Sequence, residues 1–468
     1  MSMTTRTQKT WTLALTSVGA FMVALDGLVV TTALTRIRAD LGASLAELEW
    51  TINAYALSFA VLLMAGAAIG DRVGRRRMFV AGLGLFAAAS AACALAPTMG
   101  WLIAARTVQG AGAALVMPLA MALLSAAFAP EQRARALGIF SGLTGLAVLA
   151  GPVVGGAIAQ SLAWQWIFWL NVPIGVVAIV LVRRRIEESV GARTAIDVRG
   201  VALVTGAALG VVWGVVRGNS AGWASAEVLG SLCAGALLTA AFVAWELRAR
   251  EPMLPMHFFR SRAFASGNAA GFFLYGSLYG AVFFVAQFLQ IGQGYGLLST
   301  GLRMLPWTGP LFLVAPIAGA RINRVGERPF LVGGLALQAI GMAWIALIAE
   351  PGLAYPELVA PMVIAGAGVS MAMPAAQSSV MRSVARDEVG KGAGIFNMLR
   401  FLGGAFAIAI VAAVFAGTGS YASAQAFNDG FAAAIGVCAG LSLAGAVVGL
   451  GLPGLRRVPR VAAPVPAR

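Results

Sequence analysis

The sequence predicts an all-α integral membrane protein with fourteen transmembrane helices, built as two pseudo-symmetric six-helix bundles with a two-helix insert. Composition, the spacing of apolar runs and an internal repeat predict this fold. The chain has 468 residues, of which 60% are hydrophobic and 11% are charged, and its mean hydropathy is +0.86. A soluble domain of this size is excluded, because it would expose far more apolar surface than water tolerates.

Long apolar runs recur along the whole chain and are separated by short loops that contain basic residues, Gly or Pro. A helix of about 20 residues crosses the hydrocarbon core of a bilayer, whereas the alternating pattern of membrane β-strands is absent here. The first run is longer than a signal-peptide core, so we expect it to be retained. The predicted spans are residues 13–34, 48–70, 78–96, 101–125, 136–159, 165–182, 199–217, 227–246, 266–290, 301–320, 329–349, 357–378, 391–416 and 430–452.

The net charge of +15 is distributed unevenly around these spans. With an even number of spans both termini lie on one side, and most of the 33 Lys and Arg residues then fall on that side. Arg36, Arg38, Arg217 and Arg303 fall on the other side. The positive-inside rule therefore predicts cytoplasmic termini and a multi-pass protein of the plasma (inner) membrane. The charge needs no nucleic-acid partner, and the lipid bilayer is the expected surroundings.

An internal repeat predicts the division of the chain. The Gly110-Ala-Gly112 motif recurs as Gly366-Ala-Gly368, and Asp71-Arg-Val-Gly74 recurs at nearly the same offset as Asn323-Arg-Val-Gly326. Spans one to six and nine to fourteen are thus expected to be two copies, and two facing bundles with a midplane cavity are the architecture of secondary transporters. The predicted units are a first bundle, a linker with inserted helices seven and eight, a second bundle and a basic cytoplasmic tail, at residues 1–185, 186–262, 263–455 and 456–468.

A dense charge cluster follows span two. Asp71 lies at the edge of the apolar region, and Gly74 supplies a tight turn that lets Arg72 or Arg75 reach it. The arginines either only hold the loop in the cytoplasm or form a latch that stabilises one conformation. The predicted cytoplasmic gate consists of these four residues and of their counterparts in the second copy, Asn323, Arg324 and Gly326.

Asp26 is a lone acid well inside span one. A carboxylate there costs about 2.5 to 3.5 kcal/mol on insertion scales. Arg106 in span four is the expected partner, with Gln109 beside it. Burial favours a protonated carboxyl group and a nearby cation favours the ionised form, so a moving partner predicts proton uptake and release at Asp26. The alternative is a static structural pair. Met362 stands at the repeat-equivalent of Arg106, which confines the predicted proton chemistry to the first half.

Small residues interrupt span five. Pro152 removes a helix hydrogen bond, while Gly151, Gly155 and Gly156 allow another helix to approach closely. These four residues are either ordinary packing or a flexible seam between the halves that prevents proton leak.

Several polar side chains in otherwise apolar spans are candidates for a substrate cavity. Each is either a helix-helix hydrogen-bonding group or a ligand contact. Arg400 stands apart, because a buried cation must be paired or hydrated and the spans contain few acids. For the same reason neutral, zwitterionic or anionic substrates fit at least as well as cations. The candidates are Asn53, Tyr55, Tyr275, Tyr279, Gln287, Gln377, Asn397 and Arg400.

The chain offers little for catalysis or cofactors. His257 is the only histidine, and the three cysteines lie in separate spans without metal-ligand spacing. The spans contain no constellation for a membrane-embedded enzyme, and no ATP-binding loop is present. We expect no catalytic residues, no metal and no cofactor, and a channel would not need a duplicated unit with a latch loop in each copy.

The motifs together resemble a known family. The Asp71 loop resembles the cytoplasmic signature of the major facilitator superfamily, and the segment from Arg106 to Gly110 resembles its proton-linked arginine motif. The segment 151–156 resembles its antiporter motif, and Asp26 with residues 29–34 resembles the first-span signature of the fourteen-span drug:proton antiporters of EmrB/QacA type. Trp164 to Phe168 and Asn171 to Gly175 also resemble that branch.

The resemblance covers essentially the whole chain and implies a function. It implies a monomeric, proton-coupled secondary transporter that exports small lipophilic compounds, such as drugs, antibiotics or related metabolites, by alternating access. The alternative is a proton-coupled or facilitated carrier of one specific metabolite or lipid. Ala67, Ala147, Asn323 and Thr35 depart from the family's motifs, but none of them removes a charged residue from the first half.

Overall fold

The computed structural model describes residues 3–191, 196–385 and 388–454, so the predicted basic tail lies outside the described residues. Within these ranges the secondary structure is helical throughout. A short 3-10 helix, Met256–Arg260, precedes α10, and a π-helical turn, Phe288–Gly292, follows it. The α-helices are α1 (Met3–Leu41), α2 (Leu45–Val73), α3 (Arg75–Ala94), α4 (Met99–Ala127), α5 (Pro130–Ser161), α6 (Trp166–Trp169), α7 (Asn171–Arg185), α8 (Val198–Ala221), α9 (Ala226–Glu246), α10 (Arg262–Gln287), α11 (Leu297–Arg303), α12 (Leu305–Thr308), α13 (Pro310–Val325), α14 (Glu327–Ile348), α15 (Tyr355–Arg382), α16 (Val389–Thr418) and α17 (Ala424–Gly449).

Thirteen helices in the described ranges are long and apolar enough to cross a membrane, which confirms the prediction of an all-helical, multi-span membrane protein. The predicted tenth span, residues 301–320, differs from the others. There α11, α12 and α13 follow one another with single-residue joints, so no one helix has the required length. Pro306 and Pro310 explain the breaks, because proline removes a backbone donor and crowds the preceding turn, whereas Pro316 lies inside α13 without interrupting it.

Local sequence signals fix the ends of the helices next to the site. Ser44 caps α2 in a capping box with Glu47, whose carboxylate accepts from the Ser44 backbone N–H at 2.9 Å. Gly74, with φ of 129°, joins α2 to α3, and Gly326, with φ of 92°, joins α13 to α14. Both positions require glycine, because other residues rarely adopt positive φ. They occupy matching places in the repeated motif.

Glycines in the repeated motif set the closest helix packing. A Cβ at Gly110 would collide with α2 and one at Gly112 with α3, so α4 is seated tightly against both neighbours. In the second copy Gly366 lies against α12 and Gly368 against α14 in the same way. Small residues allow the close helix approach that membrane bundles use in place of a hydrophobic driving force.

The insert lies beside both halves. Helices α8 and α9 pack on each other, and α8 contacts both α2 and α16. The rings of Trp50 and Trp213 are 5.9 Å apart, and the Asn219 amide donates to the Ala413 carbonyl. The insert thus connects the two halves at their side.

The two halves meet at the end of α1 that lies far from the Asp71 loop. Thr35 donates to the side-chain oxygen of Gln290, and the Gln290 amide donates to the Thr32 carbonyl at 3.1 Å. The Gln160 side chain accepts from the Leu298 N–H at 2.8 Å. We call these contacts, made by Thr32, Thr35 and Gln160 with Gln290 and Leu298, the distal interface.

Candidate functional site

Asp26 and Arg106 form a buried ion pair between α1 and α4. Arg106 is fully buried and Asp26 is 2% exposed. Arg106 Nη1 donates to Asp26 Oδ2 and, at 2.7 Å, to Gln109 Oε1. Gln109 Nε2 donates to Asp26 Oδ1 at 2.9 Å. The three residues predicted for proton coupling are therefore brought together in one hydrogen-bonded cluster.

Two residues that the sequence reasoning missed complete this cluster. Asn171, the first residue of α7, donates to Asp26 Oδ1 at 2.8 Å and to Ser90 Oγ at 3.2 Å. Ser90 of α3 also accepts from Gln109 at 2.6 Å. Hydrogen bonds to a charged group are worth about 1.5 to 3 kcal/mol, so the Asn171 amide is a substantial contact of the Asp26 carboxylate, while Ser90 accepts from the two amides that donate to it. Asn171 belongs to a segment that carries the family resemblance, whereas Ser90 gave no signal beyond its polarity.

The Arg106 guanidinium is held on its other side by α2. Its Nε donates to the Thr51 carbonyl at 3.2 Å, and its central carbon lies 4.2 Å from the centroid of the Tyr55 ring. The Tyr55 hydroxyl donates to the Val23 carbonyl at 3.1 Å. Tyr55, predicted to line the substrate cavity, thus lies in the Asp26 cluster. Arg106 Nη2 has no hydrogen-bond partner among the described residues.

The charged loop after α2 binds to its own half of the protein. Asp71 accepts from Arg75 Nε at 2.6 Å, while Arg72 is exposed. The Asp71 carbonyl accepts from the Gly191 N–H at 2.9 Å, and the Arg75 N–H donates to the Ser189 carbonyl at 2.8 Å. The loop is therefore fixed to the segment after α7.

Glu188 in that segment was not identified from the sequence. Its carboxylate accepts from the backbone N–H of Arg76 at 2.8 Å and of Arg77 at 3.1 Å, at the start of α3. An anion at this position satisfies free N–H groups and complements the helix dipole.

In the second copy of the gate, Gly326 is buried and Arg324 is exposed. The side chain of Asn323 lies outside the described part of the chain. Glu327 of α14 pairs with Arg382 Nη1 at 3.1 Å and accepts from the Ser378 hydroxyl at 3.0 Å. The contacts of Glu327 with Arg382 and Ser378 join residues of the second half, just as the contacts of the Asp71 loop join residues of the first half.

The small residues of α5 touch both halves. A Cβ at Gly151 would lie 2.7 Å from Leu28 Cβ of α1, and one at Gly155 would lie 2.6 Å from the Val29 carbonyl oxygen. Gly156 faces α11, where an added Cβ would lie 2.8 Å from the Leu297 carbonyl carbon. The carbonyl of Pro152 lies against Gly301 of α11 in turn. The segment thus joins α1 to the second half next to the distal interface.

Arg400 lies in an aromatic setting in the second half. Its guanidinium carbon is 4.2 Å from the Tyr275 ring centroid, and its Nη2 donates to the Tyr279 hydroxyl at 3.4 Å. Its buried Nε has no partner, and no carboxylate lies within 4 Å of it in the part of the chain that the structure describes. The adjacent Phe401 ring is 4.2 Å from that of Phe59 in α2, which brings this cluster to the first half.

The remaining cavity candidates do not join this cluster. The Gln287 side chain donates to the Phe283 carbonyl and accepts from the Tyr421 hydroxyl at 2.6 Å, towards the distal end. The Asn397 amide donates within its own helix to the Ala393 carbonyl, and Gln377 is exposed on α15. Asn53 is fully buried, and neither polar atom of its side chain has a hydrogen-bond partner in the described structure.

Metal binding receives no support. Among the residues with described positions, no group of three or more His, Cys, Asp and Glu side chains comes together. Cys93 and Cys438 are buried, and Cys93 makes its polar contact with Gln109, at 3.7 Å.

A bundle of long apolar helices with a buried ion pair in one half and a half-buried cation in the other is the arrangement of a multi-span membrane transporter. The Major Facilitator Superfamily profile matches residues 16–408 and 306–465. This chain belongs to the Major Facilitator Superfamily.

Similar proteins agree with this family. The chain is 34% identical over 408 residues to the tetracenomycin C resistance and export protein of Streptomyces glaucescens, a match that covers 86% of this chain and 76% of that protein. It is 32% identical over 402 residues to the multidrug transporter protein MdtP of Bacillus subtilis (strain 168), covering 85% and 73%. The POT family transporter PepTSo shares the fold, with a TM-score of 0.70 at 13% identity over 95% of this chain and 97% of that one.

Proposed function

We propose that this protein exports small lipophilic compounds, such as drugs, antibiotics or related metabolites, in exchange for protons. One observation carries the proposal: Asp26, the acid in the middle of α1, accepts hydrogen bonds from Arg106, Gln109 and Asn171 in a buried cluster. The resistance and export functions in the names of the two relatives favour export over uptake.

Protonation of Asp26 is the proposed link between the proton and the change of conformation. Neutralising Asp26 would leave the Arg106 guanidinium as an unpaired charge in the bundle. Breaking a buried ion pair in this way costs about 3 to 5 kcal/mol. A conformation that hydrates Arg106 or gives it another partner then becomes favourable, so binding of one proton shifts the equilibrium between the two states.

The distal interface is proposed to be the closed outer side of the transporter. Its hydrogen bonds, together with Gly156 and Pro152 on α11, would hold the outer ends of the halves together. The Asp71–Arg75 pair and the matching loop at Gly326 would lie on the cytoplasmic side. We propose that they act there as latches that re-form when the inner ends of the halves meet.

The proposed topology has both termini in the cytoplasm and the chain in the plasma membrane. Helices α11 to α13 together would form the tenth span in chain order and bring the number of spans to fourteen, because their joints at Met304 and Gly309 keep helical dihedral angles. The two bundles, residues 1–185 and 263–455, would be related by pseudo-symmetry in a monomer, with the insert beside them.

Arg400 with Tyr275 and Tyr279 is the proposed substrate contact. A planar guanidinium stacked on an aromatic ring presents its remaining N–H groups in one plane, which suits a carboxylate, phenolate or carbonyl. Since the described residues hold no acid near it, neutral, zwitterionic and anionic aromatic compounds are the proposed substrates.

The test is transport in proteoliposomes with an imposed pH gradient. The panel should contain lipophilic compounds that share a scaffold and differ in charge. We expect gradient-driven accumulation of the uncharged and anionic members by the parent protein, and none by Asp26→Asn, with equal insertion of both. Equal accumulation by Asp26→Asn would overturn coupling through Asp26. Saturable substrate transport at the same rate with and without the pH gradient would instead favour a facilitated carrier of one metabolite or lipid.

A further inference from the structure

Glu49 is a second buried acid that the Asp26 cluster does not use. It lies in α2 near the distal interface and is 3% exposed. Its Oε2 atom has no hydrogen-bond partner, and no Lys or Arg nitrogen lies within 4 Å of its carboxyl group in the described residues. An ionised carboxylate in such a place costs several kcal/mol, so the neutral acid is the form that fits this conformation.

Glu49 faces away from the Asp26 cluster. Residues two apart on an α-helix are separated by about 200°. Thr51 and Tyr55, which contact Arg106, therefore lie on one side of α2, and Glu49 and Asn53 lie on the other. Asn53 is also buried with its amide unpaired, one turn further along the same face. The two sites are separate.

Arg38 and Tyr421 lie near Glu49 at the end of the bundle. The Arg38 guanidinium carbon is 3.8 Å from the Tyr421 ring centroid, which joins α1 to the loop between α16 and α17. Burial raises the pKa of the Tyr421 phenol and the charge of Arg38 lowers it, and an ionised Glu49 would raise it further, so the three groups are near one another. Arg38 and Tyr421 also line a cavity of about 450 Å³ that opens at this end.

The other charged groups at this end of the bundle are engaged elsewhere or exposed. Glu47 accepts from Ser44, and Arg217 pairs with Glu227 at 2.9 Å. Asp429 accepts from Gln425, Arg36 and Asp40 are exposed, and Arg303 lies over the rings of Tyr295 and Tyr355. Arg38 is thus the one cation placed to meet an ionised Glu49, and its buried Nε has no partner in the described structure.

We propose that Glu49 is a proton-binding switch for the distal interface: its carboxyl group binds a proton when the interface closes and releases it to the same side when the interface opens. In the open form the loop at Tyr421 moves away, water reaches Glu49 and the carboxylate is ionised beside Arg38. The proton returns to the side from which it came, so this proton is not the one exchanged for substrate. The inference rests on the proposed alternating access but not on proton coupling at Asp26.

The linkage has a definite sign. The closed form holds one more proton than the open form, so low pH on the distal side favours closure. For a single linked proton the ratio of closed to open protein changes by up to about tenfold per pH unit.

Distances between spin labels at Ala39→Cys and Ala422→Cys test the switch on the full chain in nanodiscs. Both positions are exposed and lie on opposite sides of the interface. Only Cys233 needs replacement in the background, because Cys93 and Cys438 are buried. Between pH 9 and pH 5 the parent is expected to shift from long to short distances. In the Asp26→Asn background, where no proton binds at residue 26, Glu49→Gln is expected to stay short at every pH, and the matched control Asp40→Asn is expected to respond like Asp26→Asn alone.

Further variants make the outcome decisive. Glu49→Asp keeps a titratable carboxyl group and is expected to retain the pH response, which separates titration from loss of packing. Asp26→Asn is expected to lose gradient-driven transport and to keep the response of the labels, so failure at one site is distinguishable from failure at the other. A pH response of Glu49→Gln in the Asp26→Asn background equal to that of Asp26→Asn alone, or a parent without a response, would overturn the proposal.

Discussion

Each half of the protein places an arginine over a tyrosine ring, but only the arginine of the first half is paired with a carboxylate. In the first half Arg106 sits over Tyr55 and is neutralised by Asp26. In the second half Arg400 sits over Tyr275, with a tyrosine hydroxyl but no described carboxylate beside it. Arg106 is paired with a carboxylate of the protein, whereas the charge of Arg400 is the one that we propose a ligand compensates.

The internal repeat identifies the residues that stand at equivalent positions of the two halves. Arg106 and Gln109 of α4 correspond in the repeat to Met362 and Ala365 of α15, and both of these are buried. The same face of the helix is thus polar in one copy and apolar in the other. This difference fits the proposal that proton chemistry is confined to the first copy and that the second copy contacts the substrate.

The largest expected effect comes from replacing Arg106 by methionine, the residue type found at the equivalent position 362 of the second half. Arg106→Met leaves Asp26 buried without its cation, and we expect a loss of about 3 to 5 kcal/mol in stability together with loss of transport. Asp26→Asn in the same chain should recover much of the stability, because no uncompensated charge remains. Thermal unfolding of the purified variants measures both. Met362→Leu is the control and should change little.

A smaller effect is expected at Asn171. Asn171→Ala removes one donor to Asp26, worth about 1.5 to 3 kcal/mol for a charged acceptor. With one donor to the Asp26 carboxylate lost, the pH midpoint of gradient-driven transport should rise. Asn397→Ala, whose amide bonds only within its own helix, should leave the midpoint in place. An unchanged midpoint in Asn171→Ala would remove Asn171 from the coupling cluster.

The smallest of the three effects is a change in selectivity. Arg400→Gln should lower transport of anionic substrates about tenfold relative to neutral analogues of the same scaffold, which corresponds to about 1.4 kcal/mol. Arg303→Gln is a matched control, since Arg303 also lies over a tyrosine ring, 3.9 Å from the Tyr295 centroid, but outside the proposed cavity. Equal losses for neutral and anionic substrates would assign Arg400 to structure rather than recognition.

Much of the fold and the centre of the site could be predicted from the sequence. Helix length and composition define the spans, because the bilayer sets the required length. Asp26 and Arg106 stand out because charges are rare and costly inside apolar runs. The tenth span shows the limit of this reasoning. Mean hydropathy is insensitive to single prolines, whereas Pro306 and Pro310 each interrupt the helix.

Partners that depend on packing could not be predicted. Ser90 and Asn171 are ordinary polar residues in the sequence, and only the approach of α3 and α7 to α1 gives them a role. Tyr55 was predicted to line the cavity because it is a polar residue in an apolar span. Its contact with Arg106 could not be predicted, since polarity does not reveal which neighbour a side chain faces. Glu49 was overlooked because it stands at the edge of a predicted span, where an acid is commonly hydrated.

The central claim is that Asp26 gains and loses a proton as the halves move. Infrared difference spectra of the purified protein, recorded between low and high pH, measure this directly through the carbonyl stretch of a protonated carboxyl group. We expect a band at low pH with one component that is lost in Asp26→Asn and kept in Glu49→Gln, and a second component, from Glu49, that is lost in Glu49→Gln and kept in Asp26→Asn. Parent spectra that match those of Asp26→Asn at every pH would show a permanently ionised Asp26 and would contradict proton exchange through this residue.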